Sequence, residues 1–184
     1  MELGSLFGDS SSAWVQQLEG RFADAINASR REAEVPELPT HYDLVRVGRD
    51  HSLAMLTGGF FDHTDLRGRS PQQRLTSAGI LFDRGDELIA FSNNRNGVGT
   101  ADLDDILAEL RNGAHPDQVA IMHDPGWTEM GVGITVSSNQ RSLYLTALFI
   151  EYPEHVIGVR SAATGPTGRQ VRRSPGTWST RGGS

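Results

Sequence analysis

The sequence predicts a mixed fold, either an α+β domain or a three-layer α-β-α sandwich around a central antiparallel sheet. Apolar residues recur at helical spacing through the first third of the chain. Two segments of alternating hydrophobicity lie close together just before residue 152. At 184 residues the chain has the length of one domain with a real core.

The elements follow in order. Ser10 to Ser12 suit a helix cap, and Trp14, Leu18, Phe22 and Ile26 then mark a helix reaching about Glu32. Val35-Pro-Glu-Leu-Pro39 breaks it. Leu44, Val47, His51, Ala54 and Met55 form a second stripe, ended by Thr57-Gly-Gly59. Ser70-Pro71 is a cap with proline at the first helical position, so a short helix is expected from Pro71 to Ser77, closed by Gly79.

Glu87-Leu-Ile-Ala-Phe91 is a short apolar run, read as a strand or a buried segment, and Ser92 to Gly99 is a polar loop. Thr100 or Asp102 is expected to cap a helix burying Ile106, Leu107 and Leu110, stopped at Asn112-Gly113. A further short helix fits Asp117 to Met122, before the turn Asp124-Pro-Gly126. Met130 to Ser137 and Ser142 to Tyr152 then read as two strands joined by a Ser-Asn-Gln turn. Glycines in Met130-Gly-Val-Gly133 suggest close approach of another backbone.

Charge and composition narrow the function. The net charge is −6, which argues against general nucleic-acid binding. No apolar run approaches the ~18 residues of a membrane span, and MELGSLFGDSSS is too short and polar for a signal peptide. With no cysteine, disulfides, zinc-thiolate sites and cysteine nucleophiles are excluded. All 17 basic residues are arginine, which excludes Schiff-base catalysis and a P-loop lysine. Residues 156–184 hold five arginines and no acid, leaving a body of 12 basic and 23 acidic residues. They are rich in Gly, Ser, Thr and Pro and read as a disordered basic tail, so the domain is placed at residues 12–155.

Six histidines are available: His41, His51, His63, His115, His123 and His155. His51 lies on an apolar stripe and reads as a core or helix-packing residue. His63 stands in Gly59-Phe-Phe-Asp-His-Thr-Asp65, a loop following a helix end and an aromatic pair, a setting that often carries sites. Glu87 opens an apolar run and is a candidate metal ligand or perturbed carboxylate; the alternative is a strand-end charge facing water. Glu109 reads as a solvated helix residue, and His123 as part of a turn. There is no GxSxG, HExxH, GxGxxG or P-loop. The residues alone define a mixed domain with a possible His/Glu cluster and no reaction.

In order, these pieces resemble the CAP superfamily of cysteine-rich secretory, antigen 5 and pathogenesis-related type one proteins, also called SCP-like. The likeness is greatest to short bacterial extracellular members, over roughly residues 20–152. It rests on Asn27-Ala-Ser-Arg30, His51-Ser-Leu-Ala-Met55, Gly59-Phe-Phe-Asp-His-Thr-Asp65, and Gly68-Arg-Ser-Pro71 running to Arg74 and Gly79. It continues in Asp86-Glu-Leu-Ile-Ala90, Trp127-Thr-Glu-Met-Gly-Val-Gly133 and Tyr144-Leu-Thr-Ala-Leu-Phe-Ile150.

The resemblance implies an α-β-α sandwich whose cleft is lined by two histidines and two glutamates, with a divalent metal such as zinc held in some members. His63 maps onto the first histidine and Glu87 onto the glutamate of the family's G-E-N motif, although Asp86 and Leu88 replace its neighbours. His115 fits the second histidine by position, with Asp117 the alternative, and Glu109 falls near the second acid. The implied catalytic set is His63, Glu87 and His115, with His63 and His115 as metal ligands. The implied function is an extracellular or cell-envelope binding module for an unknown small ligand, lipid or protein, with no nucleic-acid partner. The alternative is a metal-dependent hydrolase using the same cleft.

Overall fold

The computed structural model describes residues 13–112 and 115–153. Ser10 to Ser12, Gly113, His155 and the basic tail 156–184 lie outside the described residues. Helices α1 (Ala13–Glu32), α2 (Tyr42–Gly58) and α3 (Pro71–Ser77) precede strand β1 (Arg84–Asn93). Helices α4 (Thr100–Arg111) and α5 (Pro116–His123) follow, then β2 (Glu129–Val136) and β3 (Ser142–Glu151). The three strands form one antiparallel sheet in the order β1-β3-β2. This is the expected α-β-α sandwich.

The helix ends follow from local chemistry. Gly59 adopts φ 65° after α2, and its N–H bonds the Met55 carbonyl. Ser70 and Gln73 form a reciprocal capping box at α3, with Pro71 at the first helical position. The cap of α4 differs from the expectation. Gly99 occupies it, and Asp102, inside the first turn, accepts the Gly99 N–H at 2.7 Å. Thr100 is simply the first helical residue.

Strand alternation sorts the sheet into two faces. Leu88, Ala147 and Val132 share one face, with Phe149, Met130, Leu145 and Ile134. They form one cluster with Leu18, Phe22 and Ile26 of α1, Leu103, Ile106, Leu107 and Leu110 of α4, and Met122 of α5. Glu87, Ile89 and Phe91 point to the other face, in register with Leu148, Thr146 and Tyr144 and then with Gly131, Gly133 and Thr135.

Helix α2 lies on that second face, and its distance is set by missing side chains. A Cβ at Gly131 would overlap Leu44 and the Val45 backbone, and one at Gly133 would overlap the backbone at Gly48 and Arg49. The close backbone approach suggested by the sequence is therefore real. It lets Ser52 of α2 donate to the Gly133 carbonyl at 3.0 Å and pair with Thr146 Oγ1 at 2.9 Å, all buried.

Strand β2 is an edge. Glu19 of α1 reaches it, accepting the Ile134 N–H at 3.1 Å while Arg49 of α2 donates to both its oxygens. One buried carboxylate thus ties two helices to the strand edge, which residues 39–41 also cover at Met130.

Two glycine substitutions separate close packing from flexibility. Gly133→Ala must push α2 off the sheet and is expected to cost about 3 kcal/mol. Gly20 lies within α1 with nothing near its missing Cβ. Gly20→Ala is expected to stabilise by about 0.5–1 kcal/mol through helix propensity. Urea denaturation of both variants checks the contrast.

Candidate functional site

The site begins with Glu87. The alternation of β1 turns its side chain toward α2 and α3, and it is 1% exposed, so it is not a strand-end charge facing water. Isolated, such a carboxylate is expensive to bury. Arg74 of α3, itself 6% exposed, supplies the counter-charge through a short Nη2–Oε2 contact. The same guanidinium donates from Nη1 to the carbonyls of His63 at 2.7 Å and Arg69 at 3.1 Å. Arg74 therefore fixes the charge on β1 and the course of the loop before α3 together.

That loop is tied from within. Asp65 Oδ1 accepts the N–H groups of Arg67 and Arg69, and its Oδ2 accepts from Arg69 Nε. Burial works to raise the Asp65 carboxyl, but the Arg69 and Arg67 hydrogen bonds outweigh it and hold the group below its ordinary range. Gly68 turns the loop at φ 78°.

His63 is held over the sheet by this loop, with its side chain 48% exposed. Its Nδ1 lies 2.9 Å from Glu87 Oε1. The carboxylate only accepts, so Nδ1 carries the proton. The hydrogen bond that His63 donates to Glu87 raises its imidazole above the ordinary value, against the opposing effect of burial. His51 Nε2 lies 3.8 Å from the same Oε1 and 3.0 Å from the Asp62 carbonyl. Burial pushes His51 below 6.5, outweighing the attraction of Glu87.

Beyond His63 the exposed surface is aromatic. Phe61 packs on Phe91 of β1 and Tyr144 of β3, with ring centroids 6.3 and 6.5 Å away, and Phe91 meets Tyr144 at 4.7 Å. The segment 61–63 thus touches β1 twice, at Phe91 and at Glu87.

The other sequence candidates lie elsewhere. His115 is exposed at the N-cap of α5, without a side-chain capping bond. Pro116 starts the helix immediately after it, which leaves His115 at the helix mouth; no hydrogen bond or ion pair joins it to His63 or Glu87. Asp117 and Glu109 are exposed. His123 is bonded through Nε2 to Ser29 Oγ at 2.8 Å, tying α5 to α1. Sequence reasoning missed two members of the cluster, Arg74 and the second role of His51. Arg74 was visible as the last residue of the Gly-x-x-Pro-x-x-Arg motif, but nothing in the spacing said that it pairs with Glu87.

This donor set does not fit a two-histidine metal centre. Both oxygens of Glu87 are engaged, His51 Nε2 faces a carbonyl while its Nδ1 is fully buried, and His63 Nε2 is left outward. Among the described residues no group of three His, Asp or Glu side chains is disposed to hold a metal ion. Nor does any Ser, Thr or Tyr hydroxyl bond His63 among them.

A sandwich with a buried glutamate holding an outward histidine is the class these features define. The family model for the cysteine-rich secretory protein (CAP) family matches residues 23–149. The chain belongs to that family, although it contains no cysteine. Solved structures agree on the fold. One is an extracellular protein containing an SCP domain from Bacillus anthracis, with 20% identity and TM-score 0.60, covering 74% of this chain and 41% of that one. Another is an outer surface protein from Borrelia burgdorferi, with 16% identity and TM-score 0.65, covering 76% and 96%. A third is a cysteine-rich secretory protein from Staphylococcus aureus, with 14% identity and TM-score 0.56, covering 76% and 40%. The chain therefore spans about two fifths of the Bacillus and Staphylococcus chains. No curated protein sequence matches it.

The buried pair predicts a hierarchy of stability. Arg74→Met strands the Glu87 carboxylate and is expected to cost about 3–5 kcal/mol. Arg21→Ala removes the exposed ion pair with Asp104 and should cost under about 1 kcal/mol. Equal losses in chemical denaturation would refute the assignment of Arg74 as the central cation.

The histidines predict a pH profile. His63, raised in the fold, adds stability that is fully present below about pH 6.5 and lost as pH rises through its higher folded value. His51, lowered in the fold, adds stability present above about pH 6.5 and lost as pH falls toward its lower folded value. Their joint contribution is greatest near pH 6.5. NMR titration should place the two midpoints on opposite sides of that value; coincident midpoints would refute the coupling to Glu87.

Proposed function

We propose that the chain is an extracellular binding module whose recognition surface is His63 together with the aromatic trio Phe61, Phe91 and Tyr144. The observation that carries this reading is the state of Glu87. With one oxygen on His63, the other on Arg74 and no part of its side chain exposed, it orients the imidazole and is shielded from a substrate at the surface. The outward Nε2 is left to contact a ligand.

The chemistry of that ligand follows from the pair. Nδ1 is committed to Glu87, so protonation at Nε2 converts the outward atom from an acceptor to a donor carrying positive charge. The raised affinity of His63 for that proton favours a ligand with an anionic or acceptor group. The adjoining rings favour an apolar body. A small amphiphilic acid satisfies both.

Titration of octanoate into the full chain at pH 6, followed by NMR, tests this. Saturable shifts are expected at His63, Phe61, Phe91 and Tyr144, weakened at least tenfold in His63→Ala. The reading fails if octanoate leaves these resonances unmoved. It fails equally if zinc binds at micromolar affinity and is lost in both His63→Ala and His115→Ala, which would restore the metal-dependent hydrolase.

A further inference from the structure

The two edges of the sheet are treated differently. On β2, Met130 exchanges backbone bonds with Pro39 and His41, and Ile134 donates to Glu19. On β1 the even-numbered residues face β3, because the Asn94 N–H continues the β1–β3 register to the Arg141 carbonyl. The odd-numbered residues therefore turn their backbone groups outward. At the start of the strand these groups are occupied. Gln72 Nε2 donates to the Gly85 carbonyl at 2.8 Å, and the Glu87 N–H donates to Asp86 Oδ1 at 2.8 Å. From Ile89 to Asn93, no described residue bonds the outward N–H and C=O groups.

This half of the edge lacks the devices that usually block strand pairing. It contains no proline, no bulge and no charged side chain. Phe91 is 42% exposed and Asn93 is exposed, with Ala90 and Ser92 half-buried beside them. Buried Ile89 marks the inner limit of the window, and Asn94, bonded to Arg141, marks the outer one.

We propose that this open window pairs with the same window of a second copy, antiparallel about a two-fold axis at Phe91, joining the two three-stranded sheets into one. The window selects that partner because its open groups are centred on Phe91. Two antiparallel copies then place Phe91 opposite Phe91 and Ile89 opposite Asn93. All of these residues face outward, so each pair can exchange both backbone bonds. Moving the axis to Ile89 would set Phe91 against Glu87, whose N–H is already given to Asp86. The occupied start of the strand thus fixes the register. Charge agrees with it: the exposed Arg95, just past the window, is carried toward the Asp86 end of the other copy. The axis at Phe91 uses every open group and leaves none for a third copy, so the assembly closes as a dimer.

Phe91 projects from the same sheet face in both copies. Phe61, Phe91 and Tyr144 of one copy then continue into those of the other as a single aromatic row. This row extends the recognition surface proposed above and rests on that reading; the pairing itself rests on the backbone.

Sedimentation velocity of the full chain at neutral pH, without ligand, tests the pairing. The window is short, which puts the interface at the small end of specific contacts, so a reversible dimer with a dissociation constant on the order of 10–100 μM is expected. Phe91→Glu sets like charges opposite each other and should weaken the dimer roughly tenfold, as should Phe91→Arg. An equimolar mixture of the two variants should dimerise again, because each Glu then meets an Arg. Leu66→Glu, at an exposed apolar residue outside the strand, should dimerise like the wild type. The inference is overturned if the wild type stays monomeric up to about 1 mM. It is also overturned if Phe91→Glu dimerises as well as the wild type, if the mixture stays monomeric, or if Leu66→Glu abolishes association. Octanoate is absent throughout, so failure here is distinct from failure of the ligand reading.

Discussion

A carboxylate buried on a sheet face needs a cation buried with it, and the pairing of Glu87 with Arg74 meets that requirement. The consequences extend beyond the two residues. Arg74 reaches Glu87 from α3, so α3 has to lie beside β1. The same guanidinium accepts no freedom in the preceding loop, because it also binds the carbonyls of His63 and Arg69. The loop that carries His63 is therefore positioned by the charge it serves. Replacing the pair with apolar residues of similar size would satisfy burial but leave His63 without an orienting acceptor.

The second constraint is the spacing of α2 from the sheet. Gly131 and Gly133 let the helix backbone settle against β2, where Ser52 and Thr146 complete a buried hydrogen-bonded contact. This depth brings His51 within 3.8 Å of Glu87. The glycines of β2 thus act on the site from across the sheet: a side chain there would lift α2 and withdraw His51 from the carboxylate. Packing and site geometry are one problem in this fold.

Much of this was legible in the residues. Helical stripes, the Ser70-Pro71 start, the Gly59 stop and the two alternating strands all correspond to local rules, and the elements they describe lie where those rules place them. His63 and Glu87 were also legible, through the loop setting of one and the apolar run following the other. The pairing of Arg74 with Glu87 was not, because it spans 13 positions and depends on how α3 docks on β1. His51 was read as a packing residue, and it is one, but its proximity to Glu87 is a tertiary fact. His115 shows the converse limit. Its position in the chain suited a second ligand, but Pro116 begins a helix directly behind it and leaves the imidazole at an exposed cap.

These contacts also decide which chemistry the site favours. A nucleophilic mechanism needs a hydroxyl or thiol beside its general base. Glu87 spends both oxygens inside the protein, and no hydroxyl among the described residues bonds His63. What remains outward is one imidazole nitrogen whose character changes with a single proton, next to the exposed rings of Phe61 and Phe91 and the partly buried ring of Tyr144. Under the binding role proposed above, that arrangement would distinguish ligands by charge and shape without requiring a bond to break. A single chain of contacts therefore runs from the core to the surface: Arg74 neutralises Glu87, Glu87 orients His63, and His63 reaches solvent.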